Sequence, residues 1–377
     1  QIFLNNDLNT SIVHKEYMDS RSPIAYIFHI YLNPFTENIL SFRISVFCIS
    51  LLLPLFFYIA IKQKFYNSRN FLLIFVSSIV LISPFYRTSS YWGLQENYGL
   101  IFLVLTYIVF YNYKKNLNIE SNKFVSIFFI CLFSSLAFYF DQKLLIVSII
   151  SFFTIILNLN KNIEKIYILF LYFIFSLPYI YLMNLWGGIL PAKAIARSSS
   201  FDVENIGYTI TIIAFYVFPF FLFKNNILAT FKNFFLNRSN ILLLCLFTVY
   251  LIVFYYSYGQ ISLKYGSGNG AFQKIAVIFF KNEMIQRIFM TFIVACSALI
   301  VLGYFSLIKD RLIILYFLCL SLILSPVYQE YFDPLFFIMM FTFFSEKIHI
   351  TVKNSICIFL YFFVLFISSN YYYLKTI

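Results

Sequence analysis

Long apolar runs separated by short polar stretches make up most of this chain. A helix needs about 20 mostly apolar residues to cross the hydrocarbon core of a bilayer, and many of the runs approach that length. The pattern therefore predicts an all-α, polytopic membrane protein of about 12 transmembrane helices. The predicted spans lie near residues 41–62, 71–85, 98–112, 123–140, 144–158, 165–184, 207–223, 241–258, 286–307, 312–327, 334–345 and 354–370.

Two neighbouring pairs of runs leave the number of spans open. Runs 123–140 and 144–158 are separated by a very short polar break, and so are runs 312–327 and 334–345. Each pair could form two spans or one broken unit. Ahead of the first run, residues 1–40 are predicted to form an outer loop with a short surface helix. We expect residues 1–377 to form a single integral membrane domain.

The composition excludes a soluble protein. Hydrophobic residues make up 62% of the 377 residues and charged residues only 11%, whereas soluble domains carry roughly 25% charged residues. A soluble fold of this size could not bury so much apolar surface. The six Cys lie within apolar runs and none forms a CxxC motif, so we interpret them as small packing residues rather than metal ligands.

The net charge of +12 comes from single Lys and Arg residues spread between the apolar runs. A nucleic-acid partner would require a clustered basic face, so we predict none. Short basic loops instead mark the cytoplasmic side of a membrane. If the N-terminal segment is outside, most of the acids also fall on the outer side: Asp7, Glu16, Asp19, Glu37, Glu96, Asp141, Asp202, Glu204, Glu283, Glu330 and Asp333.

The first polar segment, HKEYMDSRSPIAYIFHIY at residues 14–31, contains His14, Glu16, Asp19 and Arg21. It continues into Ser22-Pro23, which predicts a helix start because Pro suits the first turn and Ser can cap it. We therefore expect a short helix over residues 23–33 at the membrane surface. The titratable groups before it could form a functional site or only the local salt bridges of a loop.

The segment PFYRTSSYWGLQENY at residues 84–98 holds Arg87, Tyr91, Trp92, Gln95 and Glu96. An aromatic belt at the membrane interface explains the aromatic residues without any catalysis. It does not explain the carboxylate, because a charge near lipid is costly unless it is paired or faces water. We expect Glu96 to begin a helix, where the helix dipole favours its charge.

Two short outer breaks carry further candidates. Asp141 and Lys143 lie in FYFDQKL, and Gln329, Glu330 and Asp333 lie in SPVYQEYFDPL. Either break could be a simple turn. The acids beside Tyr residues at 328 and 331 also suit recognition of hydroxyl groups, or of a phosphate through a bridging divalent cation.

The stretch GSGNG at residues 266–270 has the composition of a flexible linker. No GK[ST] follows it, so it is not a phosphate-binding P-loop. A loop here could close over a substrate, with Lys264 and Lys274 as candidate phosphate contacts. No other motif of a soluble hydrolase, metalloprotease or dinucleotide-binding protein occurs in a credible setting, and we predict no metal site.

The order of these segments resembles that of the membrane-embedded GT-C glycosyltransferases, and within them the polyprenyl- or dolichyl-phosphate-sugar-dependent and family-39-type enzymes. The segments that carry the resemblance are HKEYMDSRSPIAYIFH, FRISVF (42–47), SPFYRTSSYWGLQENYGL (83–100), FYFDQKLL (138–145) and SPVYQEYFDPLFF (325–337). The resemblance implies transfer of a sugar from a polyprenyl-phosphate donor to a lipid, glycan or protein acceptor. It also implies a bacterial inner membrane, with the polar loops facing the periplasm.

The resemblance implies roles for the polar residues. Catalytic roles fall to Glu96, Asp19 and Asp141. Substrate-binding roles fall to His14, Arg21, Arg87, Tyr91, Trp92, Gln95, Lys143, Gln329, Glu330 and Asp333. In this class an acidic residue, often an Asp-Glu pair, follows the first span and precedes a surface helix. Here Gln1-Ile2-Phe3 resembles the middle of that surface helix, so we expect the first span and the principal catalytic acid upstream of Gln1.

Three other functions fit a polytopic chain. An O-antigen-type polymerase or ligase would rely on Arg and His in one large outer loop, but this chain has only three His and outer loops of moderate length. A polysaccharide or lipid transporter would show internal repeats and ionisable groups at mid-membrane. A membrane scaffold without catalysis is the third alternative.

Overall fold

The structure is a computed structural model, and it describes residues 7–14, 17, 19, 21–115, 123–159, 161–191, 201–224, 238–259, 268–324 and 326–376. Regular structure in these ranges is helical throughout, and they contain no strand. The all-α prediction is therefore confirmed. Helices are the expected solution for such apolar runs, because lipid offers no hydrogen-bond partner to the backbone.

The α-helices in the described ranges are α1 (Leu8–Ile12), α2 (Ile24–Leu32), α3 (Ile39–Ser50), α4 (Leu52–Lys64), α5 (Asn70–Ser78), α6 (Pro84–Trp92), α7 (Glu96–Lys115), α8 (Lys123–Phe140), α9 (Leu145–Asn158), α10 (Asn162–Trp186), α11 (Glu204–Phe221), α12 (Arg238–Ser257), α13 (Gly270–Phe279), α14 (Glu283–Tyr304), α15 (Ile308–Ser321), α16 (Leu335–Phe341) and α17 (Val352–Thr376). Short 3-10 turns lie at Ile79–Ile82, Gln142–Leu144 and Gln329–Tyr331.

Six helical segments of the described chain are long and apolar enough to span a membrane: Ile39–Lys64, α8, α10, α11, α14 and Val352–Tyr372. A seventh would arise if Asn70–Ile82 and α6, which meet at a 67° bend, formed one broken span. Each of the 12 predicted runs coincides with helical structure. Several of these helices are short, with 14 residues in α9 and in α15 and seven in α16, so the prediction of about 12 spans is not confirmed.

The described residues divide into two compact units. Unit 1 contains residues 7–81 and 86–191, and unit 2 contains residues 82–85 and 201–376. Each unit has its own helical core. This division into two units does not test the prediction that residues 1–377 form a single membrane domain, which stays a prediction.

In unit 1, helix α7 packs against α8 and α4. The approach of α7 to the turn after α8 depends on Gly99, because a Cβ there would lie 2.9 Å from Leu144 Cδ1 and 3.2 Å from Asp141 Cβ. A partly buried ion pair joins α8 to α10, with Lys123 Nζ 2.9 Å from Glu164 Oε2. The close approach at Gly99 positions the start of α7, where Glu96 lies.

In unit 2, helix α11 is the central element and packs against α14, α15, α16 and α13. All seven residues of α16 are buried. The fully buried Asp310, in the first turn of α15, accepts the backbone N–H of Ser345 at 3.0 Å. The carboxylate thereby holds the backbone N–H that follows α16, and the polar side chain has a structural role here.

Candidate functional site

Two predicted segments, Asp19–Arg21 and Gln95–Glu96, come together in unit 1. The guanidinium of Arg21 pairs with the carboxylate of Glu96 through Nη2 and Oε1. Beside it, Gln95 Nε2 donates to Asp19 Oδ2 at 2.9 Å. The paired residues are 75 and 76 positions apart along the chain. We name these four residues, Asp19, Arg21, Gln95 and Glu96, the carboxylate cluster.

The loop before α2 holds its half of the cluster through local hydrogen bonds. The backbone N–H of Arg21 donates to Asp19 Oδ1 at 3.0 Å, which is the geometry of an Asx turn. Tyr26 OH donates to the other oxygen of Asp19 at 3.1 Å, and Tyr17 OH donates to the carbonyl of Arg21 at 3.0 Å. Burial, assisted by the charge of Asp19, raises the pKa of both phenols, so they remain protonated donors.

Helix α2 itself begins close to where the sequence predicts. It covers Ile24–Leu32, against the predicted 23–33, and Ser22 Oγ accepts the backbone N–H of Ile24 at 3.3 Å. The predicted start at Ser22-Pro23 is therefore confirmed.

The other half of the cluster is positioned by the break between α6 and α7. Gly93 has a left-handed backbone with φ +67°, and a Cβ there would lie 3.2 Å from both Phe42 and Val46. Leu94 N donates to the carbonyl of Ser89 at 3.0 Å, which closes the end of α6. Glu96 then begins α7, as predicted, and its charge lies at the favourable end of the helix dipole.

The cluster contains buried polar atoms that remain unsatisfied. Gln95 and Glu96 are each only 4% exposed. Glu96 Oε2 and Gln95 Oε1 receive no hydrogen bond from any described residue. Buried polar atoms are nearly always hydrogen-bonded, so each exception needs an explanation. A ligand that donates hydroxyl hydrogens would satisfy both oxygens.

A buried histidine on α2 contacts the first turn of α7 close to the cluster. Phe35 N donates to Asn33 Oδ1 at 3.0 Å, which fixes the orientation of that amide. Asn33 Nδ2 can therefore only donate to His29 Nδ1, 3.2 Å away, so the proton of His29 lies on Nε2 and points to Tyr98 OH at 3.1 Å. Burial lowers the pKa of His29 to about 4. The imidazole is neutral at physiological pH.

His29 is not among the predicted site residues, although it lies in the predicted polar segment 14–31. The signal that could have found it is the spacing of His29 and Asn33, four residues apart, which places both on one face of α2. Its contact with Tyr98 could not be read from spacing, because α7 lies far along the chain.

Tyr91 and Trp92 lie against Arg43. The Arg43 guanidinium carbon is 4.6 Å from the Tyr91 ring centre and 4.5 Å from that of Trp92. Arg43 Nη1 also donates to Tyr91 OH at 2.9 Å. Both aromatic residues are more than half exposed. The structure thus gives these two predicted ligand-binding aromatics a cation–π partner that the sequence did not assign.

Asp141 and Lys143 form a compact turn beside the first turns of α7. Asp141 Oδ1 accepts the backbone N–H of Lys143 at 3.3 Å, and Lys143 Nζ lies 2.9 Å from Asp141 Oδ2. Asp141 is 5% exposed, and its Cβ faces the position of Gly99, one helical turn beyond Glu96. The pair therefore borders the same end of α7 as the carboxylate cluster.

Asp333 lies in unit 2 and has a structural environment. Its Oδ2 accepts Ser83 Oγ at 2.7 Å and the backbone N–H of Phe85 at 3.3 Å. Burial raises the pKa of the Asp333 carboxyl to about 6, although these hydrogen bonds oppose the shift. This carboxyl stabilises the segment 82–85, and its predicted role in substrate binding stays a prediction.

Gln329 and Glu330 lie near the first turns of α13. Gln329 Oε1 accepts the backbone N–H of Ala271 at 3.0 Å. Burial lowers the pKa of Lys274, and the nearby charge of Glu330 opposes that change. Lys274 Nζ also lies 4.4 Å from the ring centre of Tyr372. The structure thus gives Lys274 an aromatic and an acidic neighbour within unit 2.

The structure places the remaining predicted site residues without bringing them into the carboxylate cluster. Arg87 has an exposed side chain on α6, and His14 is half-buried after α1. Glu16 and Lys264, which the sequence also highlighted, lie outside the described residues. Trp186, which the sequence did not select, stacks on Tyr17 with ring centres 6.4 Å apart.

Among the described residues, no group of three or more His, Cys, Asp or Glu side chains could hold a metal ion. Compared with family models, with curated proteins and with solved structures, the chain shows no match.

Proposed function

We propose that the chain is a membrane glycosyltransferase of the GT-C type. It moves a sugar from a polyprenyl-phosphate-linked donor to a lipid, glycan or protein acceptor. The reaction takes place at the outer face of a bacterial inner membrane, on the side to which the polar segments are predicted to face. The six apolar helices of spanning length support the membrane setting, and the five quoted segments support the donor class.

One observation carries the proposal. Glu96 is a buried carboxylate with one oxygen paired to Arg21 and the other without any hydrogen-bond partner among the described residues. A structural ion pair would be expected to use both oxygens, because an unsatisfied buried acceptor is costly. An oxygen kept available beside a cation suits a substrate that brings a hydroxyl hydrogen and a negative charge together.

The chemistry of sugar transfer fits that arrangement. The acceptor oxygen forms a bond to the anomeric carbon, while the bond from that carbon to the donor phosphate breaks and its electron pair leaves with the prenyl phosphate. The acceptor proton passes to a carboxylate within hydrogen-bond reach, and Glu96 Oε2 takes this role. Arg21, whose side chain is 25% exposed, stabilises the charge that develops on the phosphate.

Replacing Glu96 by Gln tests the proposal. The amide keeps the shape of the side chain but cannot accept a proton. We expect transfer from a polyprenyl-phosphate sugar, measured with the purified full chain, to fall by at least about 100-fold, which is the usual scale of general-base catalysis.

Glu37→Gln is the matched control. Glu37 is an exposed carboxylate in the loop between α2 and α3, so this variant should transfer sugar at the normal rate. Full activity in Glu96→Gln would remove Glu96 from the reaction. Equal loss in both variants would show that the effect is not specific to the cluster.

A further inference from the structure

A cavity of about 180 Å³ lies in unit 2, at the end where α11 and α14 terminate and α17 begins. A single water molecule needs only about 10–15 Å³ of such a cavity, so this one can hold a larger chemical group. Its apolar wall includes Phe220, Phe223 and Ile358, and its polar wall includes Lys224, Lys347 and His349. None of these residues takes part in the proposed transfer reaction.

Two charges on the cavity wall compensate each other. Lys224 Nζ donates to the carbonyls of Tyr304 at 2.6 Å and Gly303 at 3.2 Å, which are the last carbonyls of α14. Its charge also lies 3.7 Å from Glu346 Oε2. The other oxygen of Glu346 accepts the backbone N–H and the hydroxyl of Ser306, at 2.8 and 2.6 Å. Lys224 and Glu346 are therefore occupied in closing the end of α14.

Lys347 provides the remaining positive charge. It is exposed and forms no ion pair with a described residue. His349 follows two positions later and is also exposed, and its carbonyl accepts Asn354 Nδ2 at 2.9 Å, which ties the segment to the start of α17. The cavity thus combines an apolar wall with one uncompensated cation and an imidazole.

We propose that this cavity binds a phosphate group, carried by the headgroup of an anionic phospholipid or by a soluble phosphate. Basic pockets beside membrane helices bind anionic headgroups on the cytoplasmic side. The positive-inside pattern of the sequence predicts that side for the loops that contain Lys224 and Lys347. Lys347 and His349 contact the phosphate, and Phe223 and Ile358 contact the first carbons of an acyl chain.

The test uses the purified full chain in detergent, titrated with phosphatidylglycerol or phosphatidylcholine and followed by native mass spectrometry. We expect the anionic lipid to bind more tightly than the zwitterionic lipid. Lys347→Gln should weaken phosphatidylglycerol binding about fivefold, the scale of one basic residue near an anionic headgroup, and Lys347→Glu should weaken it further. Because Lys347 is exposed, both variants should fold, which an unchanged elution profile would verify.

Lys353→Gln is the matched control, because Lys353 is also exposed and close in sequence but does not line the cavity. It should bind phosphatidylglycerol normally. Competition by inorganic phosphate would identify soluble phosphate as a ligand, and lack of competition would identify the lipid. Equal weakening by Lys347→Gln and Lys353→Gln, or equal binding of the two lipids with no effect of inorganic phosphate, would overturn the proposal.

Discussion

Glu96 in unit 1 and Asp333 in unit 2 look alike in the sequence and differ in the structure. Each is an acid in a short polar break flanked by aromatic residues, and each is buried. Asp333 Oδ2 accepts a hydroxyl and a backbone N–H. Glu96 has one oxygen paired with a side-chain cation and one oxygen without a partner among the described residues.

The difference lies in the kind of donor that holds each carboxyl. A backbone N–H is fixed by the fold, so a carboxyl bound to it acts as a structural cap. A partly exposed Arg side chain can move and can share its donors with a ligand. Burial and charge alone do not distinguish these two acids, whereas the hydrogen-bond partners of each carboxyl oxygen do.

The largest effect on stability should come from separating Arg21 and Glu96. Arg21→Gln leaves a buried carboxylate without its cation, and removing one member of a buried pair costs about 3 kcal/mol or more. We expect a correspondingly large drop in the free energy of unfolding, measured by denaturant titration in mixed micelles.

The double variant Arg21→Gln/Glu96→Gln sharpens that test. It removes both charges, so it should recover much of the stability lost in Arg21→Gln while remaining inactive in sugar transfer. A double variant no more stable than the single one would show that the ion pair does not account for the loss.

The free energy of unfolding should depend on pH in opposite directions for a buried acid in unit 2 and a buried histidine in unit 1. Asp333 has a folded-state pKa of about 6, above the ordinary 3.8. The folded state therefore binds its proton more tightly, and this contribution to stability, about 2 to 3 kcal/mol, is lost as the pH rises from about 4 to 6. Asp333→Asn should flatten this part of the profile, because the amide does not titrate there.

His29 should produce the opposite slope. Burial lowers its pKa from 6.5 to about 4, so the unfolded state binds the proton more tightly. Its contribution is complete above pH 6.5 and is lost as the pH falls towards 4. His29→Gln should reduce that acid sensitivity, as followed by the thermal midpoint across pH 4–7. If neither Asp333→Asn nor His29→Gln changed the profile, other groups would control it.

The smallest effect is expected from the exposed aromatic pair. Trp92→Ala removes one of the two rings that contact Arg43, and an exposed cation–π contact contributes about 0.5–1 kcal/mol. The free energy of unfolding should change by no more than that. A large rise in KM for the sugar donor with little change in kcat would add Trp92 to the substrate site, and unchanged kinetics would leave it as an interface residue.

Much of the helical structure could be predicted from the sequence. The predicted run 165–184 falls within α10, and run 123–140 has the same bounds as α8. The number of spans was harder to predict, because hydropathy locates apolar residues but does not show where a helix ends. Run 334–345, for example, contains only the seven residues of α16.

The candidate site could be predicted only in part. Glu96 at the start of a helix followed from its position at the border of an apolar run, and Ser22-Pro23 marked the start of α2. The pairing of Arg21 with Glu96, and of His29 with Tyr98, could not be predicted, because no local rule relates residues about 70 positions apart.

The sequence by itself determined that this protein is helical and that it carries apolar segments long enough to cross a membrane. Its apolar runs must satisfy their backbone hydrogen bonds internally, and a helix does so within one segment. Only the tertiary structure decided which buried carboxyl accepts a hydroxyl and a backbone N–H and which keeps an oxygen without a partner among the described residues. That outcome depends on how helices distant in the chain pack together, and packing brings side chains within hydrogen-bond distance regardless of their order in the sequence.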